Sequence, residues 1–374
     1  MPPIDILVIG GGIVGQVTAI ELAQAGARVT VVDAGVNAGS SANAGSLHVQ
    51  MQSRFMRLYP DQVPNIEAAL PLYRQAAEEW VRLDAEHGPM ELVRKGGLML
   101  AEDDTQLAFL ERKAEREARK GISVDILDRA ALERIAPWLG PQIVGAELCH
   151  DEGKLNPLAA NLRLRAVADR LGVTFQTDHI HGLAVGKRVE ATGGIATYHA
   201  DRVVVAAAWG AGALANGFGV SIPSVAEPLH MNITEACSAR IEHLVQHAER
   251  SITLKQFRSG QIVIGGGWAA RGRGRNMVPA VEATSLLGNV ALAARLVPTI
   301  GNVRILRTWA GMNTTIDGAS VIGPLPSSDR IVMAVPGDAG YTLGPLVAKL
   351  AAACILGQSN RDVTDRYGPA RFAV

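Results

Sequence analysis

Apolar and polar positions change period several times along the chain, and each change predicts an element. Ile4–Ile9 is a short β-branched apolar run. Residues 14–25 carry small and apolar residues at helical spacing, closed by Gly26. Arg28–Val32 is a second apolar run that ends in Asp33. Together these predict a strand–helix–strand unit. Leu70–Glu86 and Asp104–Lys120 read as helices with charged outer faces, with a short strand, Gly96–Ala101, between them. Pro157–Leu171 is a further helix. Val173–Phe175, Asp201–Ala208 and Arg330–Val335 are strand-like. The run 201–208 is almost continuously apolar, as a parallel strand covered on both faces would be. Ser251–Phe257 and Gln261–Gly265 alternate instead, which predicts an antiparallel sheet with one wet face. Leu343–Gly357 is an apolar, Ala-rich helix.

The first of these units holds the clearest chemistry. Gly10-x-Gly12-x-x-Gly15 lies directly after a strand and before a helix, and Asp33 ends the next strand. In that setting Gly10 permits a tight turn, Gly12 admits a pyrophosphate, Gly15 allows helix and strand to pack, and Asp33 accepts from a ribose hydroxyl. The helix N-terminus offers its N–H groups to the phosphates. The expected architecture is α/β, with a Rossmann-like dinucleotide domain assembled from discontinuous segments (1–45, 140–215 and 306–374). Residues 46–139 and 216–305 form a second, α+β domain with a mostly antiparallel sheet.

Composition narrows the partners. The chain has 374 residues, 48% of them apolar, with 40 Gly and balanced charge, 36 Lys+Arg against 36 Asp+Glu. Nothing there favours nucleic acid. The basic loop Arg271-Gly272-Arg273-Gly274-Arg275 is too short, and lacks aromatic residues, to change that; it reads as a surface turn or a docking point. Cys149, Cys237 and Cys354 are too far apart for a disulfide framework or an iron–sulfur site. No metal site is expected. No apolar run reaches the ~18 residues of a membrane span, and no signal peptide is visible, so the expected location is the cytoplasm.

Further motifs carry a resemblance. Ser41–Gly45, Gly153-Lys154-Leu155-Asn156-Pro157, Val203–Ala208, Trp309-Ala310-Gly311, Asp317-Gly318, Ile322-Gly323 and Gly337–Pro345 stand in order behind the glycine turn. In this order the chain resembles the D-amino-acid oxidase and glycine oxidase superfamily of flavoproteins. Residues 44–54 and 340–345 look most like the FAD-bearing β subunits of opine oxidases, which act on octopine or nopaline. The resemblance implies an FAD-binding domain of the glutathione-reductase type. It also implies that Gly10, Gly12, Ile13, Val14, Gly15, Asp33, Ala34, Ser41, Asn43, Ala44, Gly45, Ser46, Leu47, Ile180, Ala206, Ala207, Gly311, Gly337, Gly340, Tyr341, Thr342 and Leu343 surround the cofactor. Covalent attachment in the family needs a His or Cys near the flavin ring. None lies between residues 34 and 47, so the FAD is expected to be non-covalent. Ala208 stands where relatives have Gly, which leads us to expect a backbone without positive φ there. Asp338, where relatives often have His, is expected to turn away from the ring or cap the helix that follows.

The resemblance implies oxidation at a carbon next to an amine nitrogen, with an amino-acid or opine substrate. Glycine-oxidase-like relatives hold the substrate carboxylate with an Arg just after Trp-Ala-Gly; here Asn313 takes that place. Candidate substrate residues are therefore His48, Arg54, Gln256, Arg258, Asn313 and Tyr341. The implied assembly is a hetero-oligomer with a second flavoprotein subunit and a small iron–sulfur subunit, so that any iron–sulfur cluster or second flavin sits in a partner. A homomeric oxidase that reduces oxygen, and a flavin-binding assembly subunit without chemistry of its own, remain as alternatives.

Overall fold

The computed structural model describes residues 4–274, 277–358 and 361–374. Arg275, at the end of the basic Gly-rich loop, lies outside them. The chain divides into two units. One comprises residues 1–41, 160–227 and 313–374; the other comprises residues 42–159 and 228–312.

The first unit is built on a six-stranded sheet in the order Val321–Leu325, Ser328–Val335, Arg202–Val205, Asp5–Ile9, Arg28–Asp33 and Thr174–Thr177. All neighbours are parallel except the first pair. Val8, Val31, Val204 and Val332 are completely buried. A strand without alternation is what two-sided coverage requires. Helices Ile13–Gln24 and Gly340–Ile355 belong to this unit, as does an antiparallel three-stranded sheet, Ile180–Val185, Val189–Gly193 and Thr197–Ala200. The 201–208 run is strand only over Arg202–Val205.

The second unit carries an eight-stranded, mostly antiparallel sheet. Its order is Ile305–Thr315, Val225–Ala236, Gln261–Gly265, Thr253–Gln256, Leu244–His247, Gly97–Ala101, Gly145–Cys149 and Val124–Asp128. Gly145–Cys149 pairs on both sides within it. Residues 140–159 therefore belong to this unit and not, as expected, to the nucleotide-binding domain. One face is apolar: Leu98, Leu100, Ala146, Leu148, Val245, Leu254, Ile262 and Ile264 pack with Leu292, Ala293 and Leu296 of helix Ala283–Leu296. The other face is not wet, as alternation suggested. It carries Glu147, Gln246 and Lys255, each at most 3% exposed, beneath the segment 46–51 and helix Asp104–Ala118.

Candidate functional site

The glycine turn is held as its spacing requires. Gly10 has φ +108°, and a Cβ there would run into the Ala206 carbonyl; a Cβ on Gly15 would run into the Gly10 carbonyl. Gly12, the N-cap of helix Ile13–Gln24, is extended and carries no side chain that could cap it, and no acidic residue stands in the first turn. The Asp33 carboxylate accepts from Gly11 N at 2.6 Å and from Gly35 N at 2.7 Å. It lies beside the turn. One helix amide is not free: Ile13 N donates to Ser40 Oγ at 2.8 Å. Ala34 and Ser41 are exposed, and Ile180 is buried among Ile9, Val32 and Val205. Ala206 N donates to Ile9 O at 2.8 Å, which continues the central strand pairing into the Ala run. Ala208 then turns with φ +49°. This corrects the expectation for that position; the tight strand-to-helix turn overrides the methyl group.

After Ser328–Val335, a parallel strand of the same sheet, Gly337 (φ +79°) and Ala339 (φ +50°) turn the chain into helix Gly340–Ile355. No side chain caps that helix either, so Asp338 is not its cap. Asp338 Oδ1 instead accepts from Asn313 Nδ2 at 2.6 Å, and the same amide donates to Glu227 Oε2 at 3.2 Å. Asn313 is thus held between two carboxylates. Tyr341 is 4% exposed, and its hydroxyl donates to Asn161 Oδ1 at 3.0 Å. Asn161 in turn donates to the Ser40 carbonyl at 2.9 Å. Burial pushes the Tyr341 phenol well above its usual range. Asn161 carries no sequence signal of its own in helix Pro157–Arg170, which holds several other polar residues.

In the second unit, residues 42–54 are shaped by several anchors. Trp309 Nε1 donates to Ala42 O at 2.8 Å, and Asn43 Oδ1 accepts from Gly45 N at 2.7 Å. Gly45 (φ +77°) leaves no room for a Cβ against the Leu155 carbonyl. Ser46–Leu47 pairs antiparallel with Gly153–Lys154. Beyond it the buried Glu152 carboxylate accepts from Val49 N (2.9 Å), Gln50 N (3.2 Å), Gln50 Nε2 (2.9 Å) and Gln246 Nε2 (2.9 Å). His48 Nδ1 lies 3.8 Å from the same carboxylate. Arg54 is half-buried, with its side chain packed on the backbone of Gly267.

Two candidates are displaced from any site. Arg258 is exposed in the turn between strands Thr253–Gln256 and Gln261–Gly265. Gln256 is buried but occupied with backbone: it accepts from Ile241 N and donates to Cys237 O and Gly260 O. Its neighbour Lys255 points to the opposite sheet face, fully buried, and donates to Ser46 Oγ at 2.6 Å. Lys154, opposite Ser46 in the ladder, is 4% exposed and donates to Ile241 O at 2.7 Å. Burial lowers Lys255 to about 7, helped by the charge of Lys154; it lowers Lys154 to about 8 against the pull of Glu242. The one signal for Lys255 in the sequence is a single lysine in the otherwise buried strand Thr253–Gln256.

Comparison with known proteins places the chain. The family DAO, described as FAD dependent oxidoreductase, matches residues 5–354. A glycine oxidase from Bacillus licheniformis is 26% identical over 369 residues, covering 94% of this chain and 93% of that protein. An opine oxidase subunit from Agrobacterium tumefaciens (strain Ach5) is 25% identical over 338 residues, covering 86% and 85%. Among solved structures, glycine oxidase from Geobacillus kaustophilus superposes with a TM-score of 0.84 at 21% identity, covering 100% of this chain and 98% of that one; this is a likeness of fold.

Proposed function

The chain belongs to the DAO family of FAD-dependent oxidoreductases, and from that premise we propose that it oxidises the C–N bond of a secondary-amine amino acid of opine type. FAD is its cofactor, and the first unit fits that group. The glycine turn leaves no space for side chains, and an uncapped twelve-residue helix begins there. That N-terminus suits a pyrophosphate. In this reading Gly10, Gly12, Ile13, Val14 and Gly15 hold the pyrophosphate, Asp33 the ribose, and residues 41–47 the remainder of a non-covalent FAD. The second uncapped helix, Gly340–Ile355, offers its positive end to developing negative charge.

When bound, FAD accepts the hydride that leaves the carbon beside nitrogen. The substrate nitrogen gives up a proton, the C–N bond becomes C=N, and water then splits the imine into a carbonyl compound and an amine. The chain's contribution is to bind and orient the substrate.

The observation that carries the opine reading is the setting of Asn313. The position where glycine-oxidase-like relatives hold a carboxylate has no cation here; it has an amide held by Glu227 and Asp338. Carboxylates repel a carboxylate, so a substrate acid must be held elsewhere, and Arg54 is one cation of the second unit. Similarity to a protein named as one component of an opine oxidase, together with three separate free cysteines here, supports electron transfer to partner subunits that carry an iron–sulfur centre or a second flavin.

The test is anaerobic titration of the FAD-loaded chain with octopine, nopaline, D-proline, sarcosine and glycine. Loss of the visible flavin band with an opine is expected. Loss with glycine or sarcosine alone would replace this reading with that of a small-amino-acid oxidase, to be checked by hydrogen peroxide formation in air. A band that no amine bleaches would leave a cofactor-binding subunit without amine chemistry.

A further inference from the structure

The buried face of the eight-stranded sheet holds two lysines in opposite circumstances. Lys113 is fully buried, with Glu117 Oε1 and Glu147 Oε2 each 2.8 Å from its ammonium and Gln50 Oε1 at 3.1 Å. That is how a buried structural charge is ordinarily accommodated, by opposite charge and a full set of acceptors. Lys255 is equally buried. Its one acceptor among the described residues is the neutral Ser46 hydroxyl, and its charged neighbour is another cation, Lys154. An ammonium has three N–H donors. Lys154 is itself directed at a neutral acceptor, the Ile241 carbonyl, with Glu242 as the opposite charge acting on it and His243 as a further titratable neighbour.

We propose that Lys255, positioned by its hydrogen bond to the Ser46 hydroxyl, forms an anion site that holds a carboxylate of the substrate. Ser46 and Lys154 are paired across the two-residue ladder, the Lys255 ammonium reaches the Ser46 hydroxyl, and the charge of Lys154 acts on Lys255. A carboxylate there supplies the missing countercharge and accepts from the Lys255 ammonium, which has three N–H donors and one acceptor among the described residues. Apolar burial of the surrounding strand makes such a charge-assisted bond strong. Strand geometry gives the site its side: Leu254 and Gln256 point to the apolar and backbone-bonded face, so position 255 alone of the last three can present a cation here. That the anion is the substrate's own rests on the amine-oxidation reading above; that an anion binds does not.

The probe is acetate, with acetamide as its neutral twin, titrated into the FAD-loaded protein by calorimetry and followed in the flavin spectrum. Acetate is expected to bind and acetamide not. Lys255→Met is expected to weaken acetate roughly 30-fold or more, and Lys255→Arg to recover most of that loss. In the unaltered protein at pH 8, acetate binding should take up close to one proton, because the lysine must be charged to hold the anion; this readout does not depend on any variant folding. Equal acetate binding in Lys255→Met, or no proton uptake at pH 8, overturns the site. If acetate binding depends on Lys255 but no amino acid bleaches the flavin, the anion site stands and the amine-oxidation reading falls. If amino acids bleach it with unchanged apparent affinity in Lys255→Met, the reading stands and the site falls.

Discussion

Ala208 and Ala339 both sit in the left-handed region, with φ of +49° and +50°. Such a backbone costs an L-residue about 1–2 kcal/mol. A rule that treats a methyl group as forbidding positive φ is too strong at a turn that strand pairing fixes from one side and a helix from the other. Ala208→Gly relieves that strain but adds freedom to the unfolded chain, worth roughly 0.4–1 kcal/mol. The expected result is a gain of up to about 1 kcal/mol, read as a higher urea midpoint at unchanged slope. A lower midpoint would mean that the methyl itself packs usefully. The same scale shows where residue-level reading of the site runs out. Alternation in Thr253–Gln256 is visible in the sequence, but which face carries function is decided by the segment that covers it. A one-residue slip reverses every assignment in a strand, and so the pattern alone does not separate Lys255 from Gln256.

Among the elements, the segment 46–51 depends most on a single group. Glu152 Oε1 takes two backbone N–H bonds from it, and Oε2 takes the amides of Gln50 and Gln246. Glu152→Gln would set an NH2 group against those two amides. Gln50 cannot simply rotate, because its oxygen already accepts from Lys113. A loss of about 2–4 kcal/mol is expected, since a buried donor would be left without an acceptor, and FAD retention through gel filtration should fall with it. An unchanged denaturation midpoint would show that the carboxylate does not anchor the segment. None of this is legible in the sequence, where Glu152 is one acid before a Gly-Lys pair; its partners are about a hundred residues away. Periodicity recovers the helix of residues 70–86 only in part. It begins at Val63 and runs through Pro71, although a proline normally marks a first turn. The strands Val124–Asp128 and Gly145–Cys149 and the helix Ala283–Leu296 escape it, being short or weakly patterned on their own.

For the molecule as a whole, the formal net charge of zero conceals two buried lysines whose hydrogen-bond acceptors are neutral, and folding stability should register them. Unfolded, Lys255 and Lys154 titrate near the ordinary lysine value of about 10.4. Folded, they titrate at about 7 and about 8. Below pH 7 both states carry the protons and the fold bears the full cost of the buried charge. As pH rises past 7 the folded protein releases protons that the unfolded chain keeps, so the unfolded state binds more protons and stability must increase. The histidines lowered by burial, His230, His243 and His247, add to the rise only near pH 7, where the unfolded chain still holds part of their protons, and in the same direction. At higher pH the trend is opposed by Cys149, Cys354, Tyr341 and Tyr367, whose raised values keep their protons in the folded state. The useful window is therefore pH 7 to about 8.5, where each released proton contributes up to about 1.4 kcal/mol per pH unit. A rise in unfolding free energy of about 2 kcal/mol across that window is expected in low salt. Saturating acetate should flatten most of it by keeping Lys255 charged, and Lys255→Met should show the smaller slope left by Lys154. A curve that is flat or falls from pH 7 in the unaltered protein would mean that Lys255 is uncharged well below neutrality, or compensated by a group outside the described residues.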